Sequence, residues 1–170
     1  MEASAISFLN IKLLFFGTEA ASIGKTPVFI IEPDIWAVIW KPAFEFWPDR
    51  DDNNFCVSLI NLAGRYVDLS SCIGYEFWTR DNTKPPDWHQ DKDEKLADEG
   101  ILKFPLCSIV YYSCVKSLLG GRLYVEDDII TPKTNRMIIF AAGARHYVED
   151  FSGHRVSMLI NPWDRYVSVN

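Results

Sequence analysis

The feature that most constrains the fold of this chain is a series of short apolar runs, each about the length of a β-strand. They are rich in β-branched and aromatic residues and are flanked by turn-forming residues. No long amphipathic helix pattern competes with them, and they do not alternate with helices as βαβ units do. The sequence therefore predicts a mainly β protein, a sandwich or jelly roll with a few short helices. The predicted strands are residues 27–31, 35–40, 55–60, 73–79, 106–113, 121–126, 136–142 and 154–160.

The segments between these runs have the composition of loops. Residues 47–54 are polar, and residues 80–87 contain Pro85 and Pro86, which forbid regular structure. Residues 92–100 predict a short helix that ends at Gly100. Since neither a repeat nor a Gly/Ser linker interrupts the chain, we expect residues 1–170 to form a single domain.

Charge and cysteine usage limit the partners and the compartment. The chain has 23 acidic and 17 basic residues, a net charge of −6, and no Lys/Arg cluster, which disfavours nucleic acid as a partner.

The apolar segment 5–17 follows Glu2 rather than basic residues and is too short to span a bilayer, which predicts neither a signal peptide nor a membrane anchor. The four cysteines form no CxxC pair and sit in mostly apolar surroundings. We therefore expect reduced thiols and a cytoplasmic protein.

The chemistry-bearing residues begin with a histidine and a carboxylate two residues apart. The chain has three histidines, and one of them lies in the segment Trp88-His89-Gln90-Asp91. In an extended segment, residues i and i+2 point to the same side, so His89 and Asp91 can converge on one point. The pattern alone is a weak signal, because it often arises by chance.

A second histidine strengthens the metal-site hypothesis. His146 opens a new segment after the apolar run at 136–142. Two imidazoles and one carboxylate form a facial triad that suits Fe(II) and leaves three positions of an octahedral ion open. A structural zinc site would instead need four protein ligands. The sequence thus predicts an iron site made of His89, Asp91 and His146.

A third element follows shortly after His146. The segment 149–153 predicts a turn into the next strand, in which Arg155 and Ser157 share one face. A guanidinium binds a carboxylate through two parallel hydrogen bonds, and a neighbouring hydroxyl adds a donor. The alternative is a surface arginine in a polar turn.

The ordered set His89-x-Asp91, His146, Arg155-x-Ser157 resembles the signature of Fe(II)/2-oxoglutarate dioxygenases, and in particular their prolyl 4-hydroxylase-like branch. Three further segments resemble that family: residues 108–113, 120–123 and 132–140. The resemblance covers about residues 75–163 and implies a double-stranded β-helix, a variant of the jelly roll. It also implies that Arg155, Ser157 and Tyr112 bind 2-oxoglutarate, with Tyr111 as the alternative tyrosine.

The same resemblance implies Fe(II), 2-oxoglutarate and O2 as cofactors, with ascorbate as a further candidate, and hydroxylation of a C–H bond with decarboxylation of 2-oxoglutarate to succinate. The prime substrate stays open between a prolyl or other peptide side chain and a free amino acid or metabolite. A non-catalytic jelly-roll module and a cupin-like metal enzyme without 2-oxoglutarate are the competing hypotheses. Residues 1–74 do not match the family pattern, and their role stays open.

Overall fold

The structure is a computed structural model that describes residues 27–32, 45–47, 55–81 and 87–167. The described part of the chain contains two helices and nine strands. They are β1 (Val28–Ile31), β2 (Glu45–Trp47), α1 (Phe55–Ala63), β3 (Gly74–Asp81), α2 (Glu94–Asp98), β4 (Cys107–Gly120), β5 (Leu123–Val125), β6 (Asp128–Ile130), β7 (Arg136–Ala141), β8 (His146–Val148) and β9 (Phe151–Trp163).

The strands form two antiparallel sheets. The large sheet has the order β1-β7-β4-β9-β3-β2, and the small sheet has the order β6-β5-β8. Every neighbouring pair is antiparallel. The prediction of a mainly β protein with a few short helices is therefore confirmed for the described residues.

Most of the predicted strands are present. The apolar runs that begin at residues 27, 73, 106, 121, 136 and 154 all contain a strand, and the predicted short helix near residue 94 is α2, followed by Gly100 with a φ of 82°. The run at 35–40, the segment 5–17 and most of the predicted loops at 47–54 and 80–87 lie outside the described residues.

The predicted strand at 55–60 is wrong, because these residues begin helix α1. The buried side chains of α1 are Cys56, Val57, Leu59, Ile60, Leu62 and Ala63. This spacing is that of one face of a helix and does not alternate as a strand would. The helical spacing is recognisable only when residues 61–63 are included, whereas the apolar run that predicts a strand ends at residue 60.

The two longest strands extend beyond the apolar runs that predict them. β9 already begins at Phe151, inside the segment 149–153 for which the sequence predicts a turn. Gly153 has a φ of 100°, and a side chain there would collide with the backbone of Ser117 on β4. The pairing of β4 with β9 shifts register between Lys116 and Leu119. A glycine at this position thus lets the two strands stay paired across an irregularity.

The large sheet separates two hydrophobic cores. One face packs against α1, and the other packs against the small sheet. Strand alternation divides the side chains of β4 accordingly, with Ile109 and Tyr111 in the first core and Val110 and Tyr112 in the second. We call the face that points towards the small sheet the site face, because the candidate functional residues lie on it.

The structure also describes the four cysteines and the length of the helices. All four cysteines are free thiols, and Cys56 and Cys107 are buried, which raises the pKa of each to about 12. In the part of the chain that the structure describes, neither helix is long and apolar enough to cross a membrane.

One buried carboxyl group lies on the site face near the end of β9. Glu76 on β3 is 6% exposed and accepts a hydrogen bond of 2.8 Å from Nε1 of Trp163. Burial raises the pKa of Glu76 to about 7, the hydrogen bond from Trp163 opposes the shift, and the negative charge of Asp91 adds to it. The folded protein therefore retains a proton that the unfolded chain releases at lower pH.

We predict that Glu76→Gln reduces the pH dependence of stability. In the wild type the unfolded chain loses its Glu76 proton near pH 4.5, while the folded protein keeps it until about pH 7. The free energy of unfolding therefore falls as pH rises through this window, by about 3 kcal/mol in total. Glutamine still accepts the bond from Trp163 and does not ionise. Denaturant melts of both metal-free proteins between pH 4 and 8 measure the difference, and parallel pH profiles would contradict the prediction.

Candidate functional site

The segment that carries His89 and Asp91 is held against the small sheet. The backbone N–H of His89 donates to the carbonyl of His146, and the N–H of His146 donates to the carbonyl of His89, at 3.0 and 2.9 Å. Between the two candidate ligands, Nε2 of Gln90 donates to the carbonyl of Gly143. These bonds place two histidines that are distant in sequence directly opposite each other.

The three predicted metal ligands come together. One ligand atom from each of His89, Asp91 and His146 lies within 4.8 Å of the other two. The two imidazole rings are 4.2 Å apart between centroids, and Nε2 of His146 is 3.7 Å from Oδ1 of Asp91. The i, i+2 spacing of His89 and Asp91 therefore converges on one point, as the sequence predicts.

The hydrogen bonds of the two histidines determine which nitrogen faces this point. Nδ1 of His89 is 2.7 Å from the carbonyl of Asp87, and Nδ1 of His146 is 3.0 Å from the carbonyl of Ala144. A carbonyl only accepts, so each Nδ1 carries a proton, and in the neutral imidazole Nε2 is the nitrogen with the lone pair. Metal-binding histidines are commonly oriented by such a bond from the other ring nitrogen.

The electrostatic surroundings also suit a bound cation. Burial lowers the pKa of His89, and the nearby His146 lowers it further, so the imidazole is neutral at neutral pH. Nε2 of His146 is buried and finds no hydrogen-bond partner among the described residues. A metal ion between the buried Nε2 of His146 and the carboxylate of Asp91, which is 8% exposed, would stabilise both groups. The donor set of two imidazoles and one carboxylate fits Fe(II).

The predicted anion-binding residues lie on the same sheet face. Arg155 is 6% exposed, and its Nη2 donates to Oγ of Ser157 at 3.4 Å. Its guanidinium carbon is 5.2 Å from the centre of the Tyr112 ring and 5.4 Å from that of Phe151. The alternative of an exposed arginine in a polar turn is therefore wrong, because Arg155 is a buried strand residue.

The structure distinguishes the two candidate tyrosines. Tyr112 faces Arg155 on the site face, whereas Tyr111 belongs to the core on the other side and donates its hydroxyl to Oδ1 of Asn135 at 2.7 Å. Burial raises the pKa of Tyr112, and the positive charges of Arg155 and Arg136 oppose that rise. Its hydroxyl is buried beside the guanidinium of Arg155. A protonated phenol in this position can donate to an anion.

Strand register shows that this end of the site is strongly cationic. Ser157 is paired with Arg80 on β3 and with Tyr112 on β4, and Tyr112 is paired with Arg136 on β7. These four residues form one row across four strands, and Arg155 lies beside it. The guanidinium Nη2 of Arg136 is also bonded to Glu32 at 2.6 Å. This bond neutralises part of the charge of Arg136, but burial and the like charge of Arg80 lower the pKa of Arg155, so a further negative charge is favourable here.

The three candidate metal ligands lie at the opposite end of the same face. Oγ of Ser108 contacts Asp91, and the ring of Phe140, the partner of Ser108 on β7, is 4.8 Å from that of His146. Ser108 and Tyr112 are four residues apart on β4, about 13 Å along a strand. The row between them is formed by Trp78, Leu159, Val110 and Ile138. Its aliphatic members suit the methylene groups of a short ligand that has polar groups at both ends.

Sequence reasoning missed three polar residues of this face: Ser108, Arg80 and Arg136. Ser108 was identifiable only as a residue on the same face as Tyr112. The two arginines lie at the ends of apolar runs, where charged residues are common, and only strand pairing brings Arg80 beside Ser157 and Arg136 beside Tyr112. Trp163, which bonds Glu76, lies just beyond the predicted strand as well.

Comparison with known proteins gives a likeness to a solved structure and no match in sequence. No protein-family model and no curated protein sequence matches the chain. The structure is similar to that of an oxidoreductase of the 2OG-Fe(II) oxygenase family from Burkholderia pseudomallei, with a TM-score of 0.42 and 14% sequence identity. The likeness covers 65% of this chain and 57% of that chain, so it spans little more than half of the neighbour's length.

We predict that His146→Ala removes tight binding of Fe(II). The substitution deletes one of three candidate ligands, while the backbone bridge to His89, which needs no side chain, remains. His154→Ala is the matched control, because it changes the remaining histidine, which is not among the candidate ligands. Anaerobic Fe(II) titrations with melting curves of the metal-free proteins measure both properties. Wild-type affinity in His146→Ala would contradict the assignment of this ligand.

Proposed function

We propose that this protein is an Fe(II)- and 2-oxoglutarate-dependent dioxygenase that hydroxylates an unactivated C–H bond. The observation that carries the proposal is the placement of two complementary sites on one sheet face. Three residues that could hold a metal ion lie at one end, and a buried arginine with two hydroxyl groups lies at the other. A ligand that uses both sites needs a metal-chelating group and a carboxylate, joined by a short aliphatic chain.

2-Oxoglutarate has this chemistry. Its 2-oxo acid end can chelate a metal ion through two oxygens, and three protein ligands leave room for that chelation and for O2. Its far carboxylate suits the guanidinium of Arg155, with the hydroxyls of Ser157 and Tyr112 as additional donors. The two methylene groups between its ends match the aliphatic side chains of the middle row.

The path of the chain supports a double-stranded β-helix as the fold of this enzyme. From β3 onwards the chain alternates between the sheets. Strands β3, β4, β7 and β9 lie in the large sheet. The segments between them, namely the bridge at His89, the hairpin β5-β6, and β8, pair within the small sheet or with it. This alternation of consecutive strands between two facing sheets is what a jelly-roll topology requires.

Different residues of this chain would bind the metal and the co-substrate. His89, Asp91 and His146 would hold the iron, and Arg155, Ser157 and Tyr112 would fix the co-substrate so that its chelating end reaches the metal. The apolar row around Val110 excludes water from the space between them, which strengthens each electrostatic contact. When bound, Fe(II), 2-oxoglutarate and O2 supply the oxidising chemistry that couples decarboxylation to succinate with hydroxylation of the substrate.

For the prime substrate, the prolyl 4-hydroxylase-like motif pattern favours a prolyl or other side chain on a peptide. A free amino acid or small metabolite is the alternative. Succinate formation from 2-oxoglutarate, measured with proline-containing peptides and with free amino acids, separates the two. Stimulation by free amino acids alone would contradict the peptide preference.

We predict that Arg155→Leu weakens 2-oxoglutarate binding by about 10- to 100-fold, the loss expected for charged hydrogen bonds. Iron affinity should stay unchanged, because Arg155 is not a metal ligand. The matched control is Arg165→Leu, which removes an exposed arginine that pairs with Asp164. Anaerobic calorimetric titration of 2-oxoglutarate into the iron-loaded proteins measures the difference.

Two results of that titration would contradict the proposal at different points. Equal affinity in the wild type and in Arg155→Leu would show that another residue binds the far carboxylate. A wild type that binds iron but not 2-oxoglutarate would favour a cupin-like metal protein or a non-catalytic module.

A further inference from the structure

Ser108 is a buried hydroxyl group that is neither a metal ligand nor part of the co-substrate site. It is 3% exposed and lies in β4, which is paired with β7 on one side and β9 on the other. Its Oγ is 2.5 Å from Oδ2 of Asp91. Because an ionised carboxylate only accepts hydrogen bonds, Ser108 is the donor.

The two oxygens of Asp91 therefore have different surroundings. Oδ2 accepts a short bond from Ser108, whereas Oδ1 lies 3.7 Å from Nε2 of His146 in the candidate metal cluster. A hydrogen bond to an ionised oxygen is among the stronger kinds, and burial strengthens it further. The carboxylate is thus oriented with one oxygen towards the metal position and the other engaged by the sheet.

Ser108 and Asp91 lie in different kinds of backbone structure. Asp91 lies in an irregular segment between the bridge at His89 and helix α2. Ser108 is fixed by backbone pairing within the large sheet. The hydrogen bond therefore joins the side chain of Asp91, which lies outside regular secondary structure, to a strand that is paired on both sides.

We propose that Ser108 is a positioning residue that holds Asp91 as a ligand through one oxygen only. A carboxylate that bound the metal through both oxygens would occupy one more coordination position. That position is needed when a 2-oxo acid takes two sites and O2 takes a third, so this inference rests on the proposed function. Ser108 thereby preserves the open positions of the metal without touching it.

The test uses Co(II) as a spectroscopic probe in place of Fe(II). Ser108→Ala should weaken Co(II) binding by about 10- to 100-fold, the usual effect of removing a group that orients a metal ligand. The visible spectrum of bound Co(II) should change as the coordination of Asp91 changes, and 2-oxoglutarate should then perturb that spectrum only at higher concentration. The melting temperature of the metal-free protein should stay close to that of the wild type.

Two variants serve as controls. Ser113→Ala removes a hydroxyl from the same strand that donates to the backbone carbonyl of Val156 at 3.4 Å, and it should leave the Co(II) affinity and spectrum unchanged. Ser108→Thr keeps the hydroxyl and should restore both. A purely structural Ser108 would instead lower the metal-free melting temperature without altering the spectrum.

The outcomes separate this inference from the proposed function. Unchanged Co(II) affinity and spectrum in Ser108→Ala would overturn the positioning role while leaving the oxygenase proposal intact. A wild type that binds Co(II) but does not respond to 2-oxoglutarate would overturn the proposed function, and the effect of Ser108→Ala on Co(II) would still decide how Asp91 is held. A wild type that binds no Co(II) would overturn both.

Discussion

The pairing of β4 with β7 and β9 is the constraint on which the candidate site depends. It sets Tyr112 level with Ser157 and Arg136, and it places Ser108 four residues away at the metal end. Register in a sheet with two buried faces is strongly specified, because a slip of one residue would move every side chain to the opposite face. The same pairing therefore builds the core and fixes the distance between the two ends of the site.

A second set of contacts joins the small sheet to the large sheet. The reciprocal backbone bonds between His89 and His146 align two histidines from distant parts of the chain, and the hydrogen bond from Ser108 ties Asp91 to the large sheet. The three candidate metal ligands thus lie where the two sheets approach each other. Oxygen, nitrogen and guanidinium groups are concentrated on this face, while the opposite face is an apolar core against α1. The candidate site therefore lies beside the second hydrophobic core, on the face that points towards the small sheet.

Local spacing was sufficient to predict much of the site. The i, i+2 rule predicted that His89 and Asp91 would converge and that Arg155 and Ser157 would share a face, because both pairs lie in extended segments. The family pattern favoured Tyr112 over Tyr111, and strand alternation places Tyr112 on the site face because the irregularity in β4 begins only after Tyr112. The grouping of these residues agrees with the prediction, whereas their roles as ligands stay a proposal.

Other features depend on contacts between residues that are distant in sequence, and local patterns do not predict such contacts. Helix α1 lies where the sequence predicts a strand, because the helical spacing of its apolar residues is visible only over more than six residues. The short strands β6 and β8 have three residues each, and they are strands because β5 pairs with both. Ser108, Arg80 and Arg136 become part of the site through register between strands that are far apart in sequence. Tertiary pairing, rather than residue preference, decides all of these features.

We propose that one metal ion and one 2-oxo acid bind together on the site face. The visible spectrum of the protein under anaerobic conditions tests this proposal most directly. Fe(II) is added first and 2-oxoglutarate second. We predict a weak charge-transfer band that requires both additions, since chelation of the 2-oxo acid at a three-ligand iron brings the metal and the keto group into direct contact. Bound iron without such a band would contradict the claim.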